Sequence, residues 1–270
     1  MAYVANARMY SVNSGAAAAW KDLFEWLAGA SNVDLRVIDH AFPAPLSELW
    51  SRPDLGCAFM CGFPYKLADH PPRPVAAPVP LAGPVSGRPY YATHLVVKAD
   101  SRFESLEDTF GGRVGYTAED SHSGYNALRH HLLPYRRQRG GDLYSGTVGP
   151  LTTPRRVIDA ILSDGIDVGP LDSYAFDLMQ RHDPDLAARI RIIESTDAAP
   201  IPFLVASRQC PDDVVTSLQT ALMEFGEIAA CDALRERLCL QSFAPVVITE
   251  YDLMMRWNTA ARIAGYAHPR

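Results

Sequence analysis

Short apolar runs alternate with amphipathic helical stretches twice along this chain, and seven prolines between Pro71 and Pro89 separate the two series. Alternation of this kind favours βαβ units and a largely parallel sheet. Residues 7–12 read as a strand. A helix follows over 16–27, with Trp20, Leu23, Phe24 and Leu27 at i, i+3, i+4 and i+7 and Ser14 as its N-cap. Residues 35–38 and 55–61 read as strands, with a helical turn over 46–50 between them. Proline removes an N–H and fixes φ, so the proline-rich stretch predicts extended edge and crossover segments rather than a central helix.

A strong strand over 90–98 opens the second series. A short helix over 105–110 carries Ser105 and Asp108 in capping-box positions. Next come a strand over 113–117, a helix over 123–133 ended by Pro134, and a glycine-rich loop over 140–149. Helices over 154–162 and 173–181 alternate with strands over 166–171 and 190–193, and 202–206 is extended. Helical spacing closes the chain over 212–229, 232–240 and 250–263. Two extended stretches, near 89–98 and 202–207, join the series. A chain that leaves for a second lobe and returns makes two crossover strands. The expectation is therefore an α/β, two-lobe fold, with residues 1–89 and 207–270 in lobe one and 90–206 in lobe two. A small ligand is then expected in the cleft of such a hinged binder.

Charge and composition narrow the function. A formal net charge of -6 argues against a phosphate-backbone binder, so no nucleic-acid partner is expected. No run reaches the ~18 apolar residues that span a bilayer, so no membrane insertion is expected. The first ten residues carry only Arg8 as a base, and 16–19 is just four alanines, which does not make a secretory leader. That reading points to the cytoplasm or to a leader already removed. Five cysteines cannot all pair internally. Cys57 and Cys61 would sit roughly 13 Å apart on one strand face, beyond the ~7 Å a disulfide allows, and read as small buried side chains. HExxH, GxGxxG and P-loop patterns are absent, so no metal or cofactor is expected. His130 and His131, with Arg136, Arg137 and Arg139 beyond, read as a solvated basic face.

The run Asp120-Ser121-His122-Ser123-Gly124 sets Ser, His and Asp side by side, but a triad is assembled in space, and G-x-S-x-G is missing. No catalytic residue is assigned. The run follows a strand and opens a helix. There the Ser121 and Ser123 hydroxyls and the free N–H groups of the first turn either cap the helix or hold an anion. Thr152-Thr153-Pro154 repeats the arrangement with the same two readings. Asp172 ends a strand at the sheet mouth, where it caps the next helix or receives an ammonium group. Tyr10, Phe63, Tyr65, Tyr90, Tyr91 and Tyr125 fall at loops that can wall a small-ligand cleft.

Several short motifs occur in a set order. Residues 91–100, Ser105-Leu106-Glu107-Asp108 and 112–114 resemble the "strand, Ser-Leu-Glu-Asp-Leu, Gly-Lys/Arg" segment of phosphonate-type solute-binding proteins, the PhnD-like group. Residues 120–126 look like its Ser-x-Ser-Gly-Tyr ligand loop. Asp167-Val168-Gly169-Pro170-Leu171-Asp172-Ser173 looks like its Asp-Val-Ala-Ala-Ile-Asp strand, and Ala199-Pro200-Ile201-Pro202 like its return crossover. The Thr-Gly-Ser-His-like loop of many relatives reads Gly149-Pro150-Leu151-Thr152-Thr153-Pro154 here, without the histidine. The resemblance implies a type II periplasmic-binding fold and a periplasmic setting. It also implies an anion held by Ser121, His122 and Ser123, with Asp172 near a polar substituent.

Together these readings give a non-enzymatic binder of a small anionic solute of the phosphonate, phosphate-ester or sulfonate class. It would serve as the substrate-binding component of an ABC-type transporter with a permease partner, or as a related sensor. Its ligand-binding residues would be Tyr10, Tyr65, Tyr91, Ser121, His122, Ser123, Thr152, Thr153 and Asp172. The alternative is a cytoplasmic enzyme on the same scaffold, of the menaquinone-precursor or thiamine-pyrimidine type.

Overall fold

A computed structural model describes residues 2–270. The chain runs β1 (Tyr3–Asn6), α1 (Ser14–Ser31), β2 (Leu35–Val37), α2 (Leu46–Trp50), β3 (Leu55–Met60), α3 (Gly62–Leu67), β4 (Arg73–Pro80), β5 (Tyr90–Tyr91) and β6 (Thr93–Lys98). It continues through β7 (Arg113–Gly115), α4 (Leu128–Arg139), β8 (Gly146–Val148), α5 (Pro154–Leu162), β9 (Gly169–Asp172), α6 (Ser173–His182), α7 (Pro184–Ala187), β10 (Ile190–Ser195) and β11 (Ala199–Pro200). It ends with β12 (Phe203–Ala206), α8 (Asp212–Glu224), α9 (Asp232–Leu238), β13 (Leu240–Ala244) and α10 (Asp252–Ile263).

Two compact units result. The first takes the chain up to Tyr90 and again over Pro200–Ile248, and the second takes Tyr91–Ala199 and Thr249–Arg270. The expected division kept residues 207–270 together in the first lobe. The contacts assign Thr249–Arg270 to the second unit, because α10 lays Met254, Trp257 and Ala261 against buried side chains there. Among the described residues, no helix is long and apolar enough to cross a membrane.

Unit one is built on a six-stranded sheet in the order β13-β4-β12-β3-β1-β2. Parallel pairing is confined to β1 with β2 and β3, whereas β12 runs antiparallel to both β3 and β4. The sheet is thus mixed rather than largely parallel, because the returning chain enters it in the opposite sense. The prolines of β4 fit because its pairing is split. Its first half pairs with β12 and its second half with β13, so most positions have a ladder partner on one side only. Helix α1 covers the sheet with Trp20, Leu23, Phe24 and Leu27, each at most 1% exposed. Its cap is Asn13, whose side chain accepts from the Ala16 N–H at 2.8 Å, and Ser14 is the first helical residue. Residues 7–12 are a loop rather than a strand. The Tyr10 and Ser11 N–H groups turn back to the Ala7 carbonyl, both at 2.9 Å.

Unit two carries an antiparallel sheet, β10-β6-β9, and a parallel pair, β7 with β8, joined by a bridge between Val114 and Val168. Its core gathers Leu95, Val97, Val114, Leu128, Leu132 and Val168. Helix α4 does not stop at Pro134 but carries it inside and ends at Gly140, whose φ of 75 suits a residue without a Cβ. An internal proline costs about 3 kcal/mol, and burial of Leu128, Leu132 and Leu133 on this helix outweighs it at about 1.5–3 kcal/mol each. All five cysteines are free.

Candidate anion site in the second unit

Residues 122–127 form one wide, π-type turn that runs directly into α4. Such turns recur at functional sites. Ser121 caps it, its hydroxyl accepting from the Gly124 N–H at 3.0 Å. Ser123 lies beside β6, where the Thr93 hydroxyl donates to its carbonyl at 3.1 Å. Thr93 is the β6 residue opposite Asp172 of β9. Asp172 is 9% exposed and caps α6, accepting from the Ala175 N–H at 3.0 Å.

The second hydroxyl pair joins through Thr117. The Thr117 N–H donates to the Gly124 carbonyl at 3.2 Å, and the Thr152 N–H donates to the Thr117 carbonyl at 2.7 Å. Thr153 caps α5 by accepting from Arg156 N–H at 3.3 Å. Two helix starts and the mouth of β9 therefore meet around Thr93 and Thr117. Ser121, Ser123, Thr152, Thr153 and Asp172 come together by direct bonds, caps and strand pairing.

Two details mark the approach as tight. A Cβ on Gly124 would lie 1.7 Å from Thr117 Oγ1, so only glycine fits. The Thr117 hydroxyl is buried, on a residue 8% exposed, and has no hydrogen-bond partner. Thr152 holds a left-handed φ of 70, a strained conformation for a β-branched residue.

His122 takes a different place. It is 1% exposed and turned into the core, stacked on Trp257 with ring centroids 5.2 Å apart. Asn126 Nδ2 donates to His122 Nδ1 at 3.1 Å and to the Met254 carbonyl at 2.9 Å, which leaves the imidazole proton on Nε2. Burial first, then the charge of His130, pushes His122 down to about 3, so it is neutral at pH 7. Tyr91, 1% exposed, sits 6.2 Å from its ring.

The histidine pair is packed, not solvated. His130 lies flat on the other ring contact of Trp257 at 4.6 Å, and His131 Nε2 meets Glu194 Oε1 at 2.6 Å. In unit one, Tyr10 is 1% exposed and edge-on to Phe59 at 4.8 Å, and Tyr65 is 8% exposed beside Phe203 at 5.0 Å. Both rings belong to packed aromatic clusters. Thr93, Thr117 and Trp257 escaped the sequence reading. Only Gly124, already inside the motif, signalled a close approach.

A family model described as "ABC transporter, phosphonate, periplasmic substrate-binding protein" matches residues 11–251. The chain belongs to this family. Solved structures share its fold. A binding-protein component of a phosphonate ABC transporter from Pseudomonas aeruginosa superposes with a TM-score of 0.80 at 14% identity, covering 97% of this chain and 88% of that one. PhnD1 from Prochlorococcus marinus, solved in complex with methylphosphonate, gives 0.76 at 12% identity and 98% of both chains. The periplasmic aliphatic sulphonate binding protein SsuA from Escherichia coli gives 0.61 at 13% identity, with 98% of this chain and 87% of that one. No curated protein sequence matches. The fold is therefore the two-lobe periplasmic-binding type with a mixed α/β architecture, and the family is the solute-binding component of ABC transporters.

Proposed function

We propose that this chain binds the tetrahedral oxyanion head of a small organic phosphonate or sulfonate and delivers it to an ABC permease. Ser121 and Ser123 hydroxyls, the N–H groups of the wide turn, and the Thr152 and Thr153 hydroxyls receive the head group. Donors at helix starts suit an anion because they carry partial positive charge without a competing counter-ion. Asp172 receives a cationic or hydroxyl substituent beside the head. Tyr91 and His122 hold the turn from beneath rather than touching solute.

One observation carries the reading: Thr93, the strand neighbour of Asp172, donates to the Ser123 carbonyl, and Thr117 links the Gly124 carbonyl to the Thr152 N–H. Titration calorimetry and thermal shift with methylphosphonate, ethanesulfonate, phosphate and acetate test it. A solute with a Kd of ~10 μM, at 1 mM, adds about 2.7 kcal/mol. The expected result is a shift with methylphosphonate that Ser121→Ala with Ser123→Ala abolishes. No shift with any of the four anions, or one the double variant leaves intact, overturns it.

A further inference from the structure

The turn that carries Ser121 and Ser123 is anchored from behind by the last helix of its own unit. Asn126, fully buried, is the anchor. Its N–H donates to the Ser121 carbonyl at 3.1 Å, which closes the wide turn around His122 and Ser123. Its side-chain Nδ2 donates twice, to His122 Nδ1 at 3.1 Å and to the Met254 carbonyl of α10 at 2.9 Å. One side chain thus ties the residue between the two serines to a helix 128 positions further along the chain. Trp257 of the same helix stacks on the His122 ring and on His130 of α4, with centroids 5.2 and 4.6 Å apart.

These bonds are a poor source of stability. The Met254 carbonyl lies inside α10, where the helix ladder already supplies a donor four residues on. Asn126 Oδ1 and His122 Nε2 are both buried without a hydrogen-bond partner. Unpaired buried polar atoms cost folding free energy, and an apolar pair of similar shape in their place is often neutral or stabilising. What the polar pair supplies is direction. A hydrogen bond fixes both the distance and the angle at which the His122 ring meets α10, which an apolar contact does not. His122 stands between Ser121 and Ser123, so a ring fixed inward fixes where the backbone carries both hydroxyls.

We infer that Asn126 is a positioning residue for the anion site: with Met254 and Trp257 of α10 it holds the Ser121–Ser123 turn at the spacing a tetrahedral oxyanion needs, and it does so at a cost in stability. The inference rests on the proposed function and adds the part that the last helix plays in it.

Titration calorimetry with methylphosphonate and ethanesulfonate at 25 °C tests it, with apo melting recorded at pH 7. The proteins are wild type, Asn126→Ala, the double variant Asn126→Leu with His122→Phe, and Leu143→Ala, a truncation in the core of the same unit. The double variant should melt at or above wild type and yet bind about 10- to 100-fold more weakly, since a displacement of about 1 Å is enough for such a loss. Asn126→Ala should lose both melting temperature and affinity. Leu143→Ala should lose melting temperature alone, because a destabilised protein that is still folded keeps its intrinsic affinity. Wild-type affinity in the double variant overturns the inference and leaves the proposed function standing. So does an affinity loss in Leu143→Ala equal to that in Asn126→Ala, which would make binding follow stability. If the double variant does not fold, the comparison of Asn126→Ala with Leu143→Ala decides by itself. Failure of wild type to bind either anion overturns the proposed function, and the inference with it.

Discussion

At the scale of single residues, Thr152 and His122 carry opposite kinds of stress. Thr152 holds a left-handed φ of 70 on an exposed loop. Strain of this kind costs about 1–3 kcal/mol, and glycine returns about 0.5–1 kcal/mol of it through a freer unfolded chain. Thr152→Gly should therefore raise apo stability by about 1 kcal/mol by calorimetry while weakening methylphosphonate binding several-fold. His122 is neutral because burial holds it down at about 3. Between that value and the unfolded ~6.5, the unfolded state binds more protons. The contribution of neutral His122 is complete above ~6.5 and is lost as pH falls toward 3. Asp177 acts the other way, since burial pushes its carboxyl up to about 7 and its folded form holds the proton longer. His122→Phe keeps the stack on Trp257 and removes the titration. The melting-temperature advantage of wild type over this variant should shrink between pH 7 and pH 4. An advantage that stays constant across that range would rule the linkage out. The order of Ser121, His122 and Ser123 was legible in sequence. That the serines stand at the turn while the histidine enters the core was not, because a π-type turn changes which residue faces inward.

At the scale of elements, helix starts organise the second unit. The capping box at Ser105 was legible and forms: Asp108 Oδ2 accepts from the Glu104 and Ser105 N–H groups at 2.9 and 2.8 Å. The apolar spacing of α1 was equally plain, and its buried face is the one the period predicts. Strand ends and partners were less so. Residues 7–12 looked apolar enough for a strand, yet a turn on Ala7 ends the ladder. Pro134 looked like a stop, yet core burial carries the helix past it. The wide turn meets Thr117 with no room for a side chain on Gly124. Gly124→Ala should cost about 1–3 kcal/mol as an overpacked contact and move Ser121 and Ser123 from Thr152. Unfolding titration should show the destabilisation, and methylphosphonate affinity should fall with it.

At the scale of the whole molecule, the chain passes between its units three times, near Tyr90, Ala199 and Ile248. The last passage brings residues 264–270 onto the second unit. Arg129, 4% exposed, lies over the Tyr125 ring at 4.4 Å. It donates to the Tyr266 and Ala267 carbonyls at 3.3 and 3.2 Å and to Asn258 Oδ1 at 2.8 Å. Arg270 pairs with Asp142 at 3.0 Å. Deleting residues 264–270 strips a buried guanidinium of two acceptors. Hydrogen exchange should then speed up across α4, while β1 and β3 in the first unit keep their protection. Equal loss in both units would show that the tail does more than close its own unit. The sequence by itself determined the two βα series, the split by prolines, the order of the ligand-loop motifs and thus the family, because these depend on local periodicity and turn chemistry. Only the tertiary structure decided that α10 and the tail complete the second unit. It also decided that Thr117 ties two helix starts together, and that Thr93 holds the Ser123 carbonyl beside the strand that ends in Asp172. Those facts depend on which distant residues meet, and no local pattern encodes that.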